Sequence, residues 1–191
     1  MYPARTAVAL SAIFAATLLT ACATAPKSID HAVVELRATQ QPQPDPDAPV
    51  TGELHFKQWQ DQVVITGQVE HLPPRVSRAV HGNALHILAV ADCAAPDPAK
   101  AGGIFNPAHK KHSYPGAGMA GDLPMLMPDE QGTATINNYL SSLIKLDGPD
   151  SVIGKAVVVR RDIDDWAIQP DGNAGPAIAC GVIRAAAPDK K

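Results

Sequence analysis

The chain has 191 residues, a length that fits one domain better than two, and a formal net charge of −3 with no long run of one sign. No part of that charge pattern points to nucleic acid as a partner. Three cysteines, an odd number for an exported chain, require different fates.

The N-terminal stretch reads as a targeting segment. Arg5 supplies a positive start, and Ala7 to Leu19 is apolar and uncharged but too short for a comfortable membrane span. It ends in Leu19-Thr20-Ala21-Cys22, which resembles the bacterial lipobox, where cleavage precedes a cysteine that then carries lipid. Residues 1–21 are therefore expected to be a lipoprotein signal peptide, and residues 22–30 a tether lipidated at Cys22. The competing reading is an ordinary signal peptide cut after Ala23, which would discard Cys22. A lipidated chain would sit on a membrane without crossing it. Because Ala23 stands where an aspartate would resemble a retention signal, the expected location is the periplasmic side of the outer membrane. In that oxidising compartment the remaining pair, Cys93 and Cys180, is expected to form a disulfide. Closing so long a loop is worth on the order of 4–5 kcal/mol.

The rest of the chain, residues 31–186 with a tail at 187–191, reads as one β domain. His31 to Thr39 alternates like a strand, and the proline-rich Gln40 to Pro49 must be a loop. Thr51 to Trp59 and Gln62 to Glu70 form a predicted hairpin about Gln60-Asp61, ended by Leu72-Pro73-Pro74. Leu54 and Phe56 share one face of the first strand; Val63, Ile65, Gly67 and Val69 share one face of the second. Ala84 to Ala91 is apolar enough for a buried strand. Asp92 to Pro128 is rich in Gly and Pro and lacks periodicity, and irregular stretches of that length usually carry function. Gly132 to Asn138, Leu143 to Leu146, Ala156 to Arg160 and Ile178 to Arg184 supply further short strands. Helical periodicity is weak, so a sandwich or barrel of about eight strands is expected.

Several segments together resemble one family, the copper/zinc superoxide dismutases. Leu72-Pro73-Pro74 is similar to the end of its early hairpin. Ala101-Gly102-Gly103-Ile104-Phe105-Asn106-Pro107 and Gly116-Ala117-Gly118-Met119-Ala120-Gly121-Asp122-Leu123-Pro124 resemble the two ends of its zinc loop. Val152 to Val159 resembles the strand leading into a copper histidine. Gly172-Asn173-Ala174-Gly175 and Ala179-Cys180-Gly181-Val182-Ile183 are similar to its C-terminal signature. The resemblance implies a Greek-key β-barrel with long loops and one disulfide, Cys93 to Cys180. It also implies copper held by four imidazoles, zinc held by histidines and an aspartate, and an arginine guiding the superoxide anion.

Against that pattern, most of the implied ligand positions carry other residues. His86 stands for one of two paired copper histidines. Anchoring on Asp92-Cys93 makes Leu88 the missing second, and anchoring on His81-Gly82 makes Ala84 the missing first. Ile104 takes the bridging position, Met119 one zinc position, Arg160 the last copper position and Ala177 the guiding arginine's place. His112 and Asp122 keep their zinc positions. Ile104 cannot ligate. Arg160 stays protonated, and two unit charges about 4 Å apart at an effective dielectric near 20 repel by roughly 4 kcal/mol, about twice that for a divalent ion.

Some residues have two readings. His86 is either a residual ligand or a buried histidine bonded to backbone. His112 and Asp122 either hold zinc weakly, with His109 as a substitute ligand, or bond to each other. Met119, Met125 and Met127 are either loose packing or a copper(I) cluster. Asp162, Asp164 and Asp165 read as a solvated acidic turn, and His109-Lys110-Lys111-His112 as a solvated basic loop. The expectation is a dismutase-like envelope lipoprotein without dismutase activity, with a binding or structural role, an unidentified protein partner, weak zinc at most and no copper. An active dismutase with a divergent site and a non-redox zinc or copper binding protein are the alternatives.

Overall fold

Strand formation follows the period-2 alternation of apolar residues. In the computed structural model, which describes residues 28–74 and 82–186, eight antiparallel strands form in the order β1 (His31–Ala38), β2 (Thr51–Trp59), β3 (Gln62–Glu70), β4 (Leu85–Leu88), β5 (Ala134–Ser141), β6 (Ala156–Arg160), β7 (Ala177–Val182) and β8 (Arg184–Ala185). The stretch expected to be a signal peptide, Cys22, His81 and the 187–191 tail lie outside the described residues. The only helical element among the described residues is a 3-10 turn at Pro98–Lys100, capped by Asp97. The curled sheet runs β4-β6-β7-β1-β2-β3-β5, with β8 pairing β1 on the edge away from β2.

Alternation fixes what lies inside. Ala32, Val34 and Leu36 of β1, Leu54 and Phe56 of β2, and Val63, Ile65 and Val69 of β3 are buried in one core. Leu85 and Ile87 of β4, Val157 and Val159 of β6, and Ile178 of β7 complete it. A bulge at Ile65/Gly67 bends β3, and Gly67 takes φ 143° there. A Cβ at this position would collide with the Glu53 carbonyl, so only glycine fits.

The hairpin at residues 60–61 and the hydrophobic faces of its strands form where the sequence places them. Two strands differ. Leu143–Leu146 is not a strand: Ile144 and Leu146 are buried, which produced the alternating signal, but only Lys145 makes a bridge, to Ser151. The C-terminal strand divides instead. At Ile183 the chain leaves β7 to exchange backbone bonds with Gly154 (2.8 Å) and Lys155 (2.9 Å), then rejoins the sheet as β8 on β1.

Cys93 and Cys180 form the expected disulfide, at a sequence separation of 87 and with Cα atoms 5.6 Å apart. It ties the start of the long loop to β7. Among the described residues no helix is long and apolar enough to cross a membrane.

Candidate functional site

Two short strands, β4 and β6, position the site. All four residues of β4 and all five of β6 are buried, so each strand is covered on both faces. Leu85, Ile87, Val157 and Val159 enter the main core. By alternation His86 and Leu88 point to the opposite face, where Leu88, Ala156 and Val158 pack beneath loops. In register, His86 lies opposite Val158 and Leu88 opposite Ala156. The covering segments are the stretch after β4 and the 161–176 connection. They are clamped together at Gln169, whose side chain accepts from His112 N (2.9 Å) and donates to His112 O (2.8 Å).

A buried chain of imidazoles and carboxylates runs under these loops. His86 Nε2 lies 2.9 Å from Asp164 Oδ2. The other oxygen, Asp164 Oδ1, is 3.1 Å from His112 Nε2, close but not aligned for a hydrogen bond. His112 Nδ1 lies 2.8 Å from Asp122 Oδ1, and Asp122 Oδ2 accepts from the backbone of Ser113 (3.1 Å) and Met119 (2.8 Å). The rings of His86 and His112 meet edge-on with centroids 5.8 Å apart. Gly172, at φ 67°, passes so close that a Cβ would strike Asp164. His86 Nδ1 has no partner. Donor atoms of His86, His112 and Asp122 all lie within 4.8 Å of one another, close enough for one ion.

Beside this cluster is a cavity of about 180 Å³ lined by Leu88, Ile104, Met119 and Arg160, and also by Asn106 and Asp171. The first four of these residues stand at four of the positions that the resemblance assigned to metal ligands. Leu88 and Ile104 are also bridged through their backbones. Ala84 is buried but does not line the cavity. Arg160 is 5% exposed. Its Nε donates to the Gly175 carbonyl at 2.6 Å, and an Nη contacts Asp171 at 3.4 Å. Ala177 is buried opposite Arg160 across β6 and β7. A wider outer cleft of about 890 Å³, lined in part by Asp92, Asp97 and Lys100, shares Arg160 and Asp171 with the cavity. The four side chains offer a thioether, two aliphatic chains and a guanidinium, Asn106 and Asp171 add only oxygens, and no imidazole lines the cavity, which does not fit copper(II).

The structure corrects three expectations from the sequence and removes one of the two readings of the methionines. Asp164 is not part of a solvated turn: Asp162 and Asp165 are exposed, but Asp164 is buried between His86 and His112. It is the main site residue missed, and its one signal is its place between two exposed acids in a loop following Arg160. His86 is bonded to that carboxylate, not to backbone. His109 is exposed at a positive-φ turn and is not among the clustered donors. The methionines do not act as one group. Met125 and Met127 flank Gly82, whereas Met119 lines the cavity.

An antiparallel Greek-key barrel with a histidine–carboxylate cluster under long loops defines a superoxide dismutase-like class. The family model described as copper/zinc superoxide dismutase matches residues 50–183. The chain belongs to that family. It is 39% identical over 90 residues to a Cu-Zn superoxide dismutase of Deinococcus radiodurans, covering 44% of this chain and 49% of that protein. It is 33% identical over 141 residues to Cu-Zn superoxide dismutase 1 of Aquifex aeolicus, covering 70% of this chain and 79% of that one. The match therefore spans about half the length of the first relative. Among solved structures, the clock protein EA4 superposes with a TM-score of 0.69 at 26% identity, covering 85% of this chain and 99% of that chain.

Proposed function

We propose that this chain is a superoxide dismutase-like lipoprotein of the bacterial envelope that does not dismutate superoxide and serves there in binding or structure. The observation that carries the reading is the cavity where Leu88, Ile104, Met119 and Arg160 meet. Dismutation needs a metal that changes oxidation state, and copper(II) needs several imidazoles around it. Here aliphatic groups and a fixed cation face that space, and the repulsion between guanidinium and metal opposes entry. Within the buried cluster only His86 Nδ1 and His112 Nε2 are imidazole nitrogens without a hydrogen bond, fewer than copper(II) needs. The test is to load the purified protein with copper and zinc, then measure metal content and superoxide consumption on one sample. The expected result is no copper in this cavity and no dismutation; family-like turnover would overturn the reading.

A second reading, non-redox zinc binding, is favoured by one observation: the donor atoms of His86, His112 and Asp122 lie within 4.8 Å of one another. Here Asp164 would hold both imidazoles in orientation, as carboxylates beside metal-bound histidines do. Lipidation at Cys22 places the domain at the periplasmic side of the outer membrane. Replacing Cys22→Ser should release it from the membrane fraction.

A further inference from the structure

The outer face of β1 and β2, away from the buried cluster, carries an unassigned pair of histidines. His31 begins β1 and His55 lies in β2, diagonal to each other because His31 pairs with Lys57 and Val33 with His55. Both rings are partly exposed and nearly parallel, 22° apart, with centroids 5.5 Å apart. His31 Nε2 and His55 Nδ1 face each other at 3.3 Å. On the far side of His55, Nε2 lies 2.8 Å from Glu53 Oε1. A carboxylate acceptor keeps the proton on that nitrogen and leaves His55 Nδ1 with its lone pair. His31 Nε2 then donates to that lone pair, while the remaining nitrogen of His31, Nδ1, is buried without a partner and can take the proton when a metal occupies Nε2.

We propose that His31 and His55 form a zinc site on this outer face, with Glu53 as the positioning residue for His55. Tetrahedral zinc at Zn–N distances of about 2.0–2.1 Å holds two nitrogens roughly 3.3–3.4 Å apart. The protein already sets that separation. A swing of the two partly exposed rings turns both lone pairs onto one ion, and water completes the coordination. Glu35 and Glu53 stand opposite each other in register nearby, adding negative charge, while Arg37 neutralises Glu35 at 3.0 Å and Lys57 flanks His31. The site shares no residue with the His86–His112–Asp122 cluster, so its presence and the inactivity proposed above can fail separately.

The test is calorimetric titration of the whole protein with zinc chloride alone, at neutral pH and at about pH 5.5. At neutral pH one binding event is expected, weakened at least tenfold by His31→Ala and by His55→Ala and roughly tenfold by Glu53→Gln. At the acidic pH it should disappear, because protons compete for both imidazoles. His55→Gln, which keeps a polar side chain of similar length, covers the case where an alanine variant does not fold. No zinc binding, or binding unchanged in the His31 and His55 variants, would overturn the proposal.

Discussion

A single carboxylate, Asp164, holds the buried cluster together, since it reaches His86 on one side and His112 on the other. Asp164→Ala leaves an imidazole donor buried without its acceptor. The expected cost is about 1.5–3 kcal/mol of stability, read as a lowered midpoint in chemical denaturation. This residue was not legible in the sequence, because three aspartates within four positions look alike until the loop folds over β4. His112 and Asp122 were legible because the spacing of a resembled loop fixed them. Leu88, Ile104 and Arg160 were legible for the same reason, and the fold brings them to one cavity. If their chemistry is what bars copper, changing them should admit it. The combined variant Leu88→His, Ile104→His and Arg160→His is expected to gain one copper per chain over the parent, by elemental analysis of gel-filtered protein. An unchanged copper content would show that the cavity residues do not decide metal binding.

At the scale of elements, strands with one buried face were readable by alternation, as in β2 and β3. Strands buried on both faces were not, since β4 shows an unbroken apolar run apart from His86. Leu143–Leu146 misled for the opposite reason: it buries two alternate side chains without a ladder to join. The disulfide couples the element scale to the site, because it pins the covering loop to β7 next to β6. Its removal in a Cys93→Ser, Cys180→Ser double variant should cost on the order of 4–5 kcal/mol by the chain-entropy argument, measured by urea unfolding. Gly67→Ala should also destabilise. The strained φ and the collision with the Glu53 carbonyl both act at the β3 bulge, and a thermal melt several degrees below the parent is the expected reading.

For the molecule as a whole, the barrel and the site answer to different constraints. The core of β1, β2 and β3 needs only apolar side chains of the right volume, so the fold can stand whether or not a metal is held. The β4–β6 face depends on the identity of each donor, and it is there that the chain departs from what copper chemistry requires. The most direct measurement is a crystal of the copper-soaked protein with anomalous diffraction recorded at the copper edge. No peak is expected in the cavity between His86 and Arg160. A copper peak there, in protein that also consumes superoxide rapidly, would contradict it.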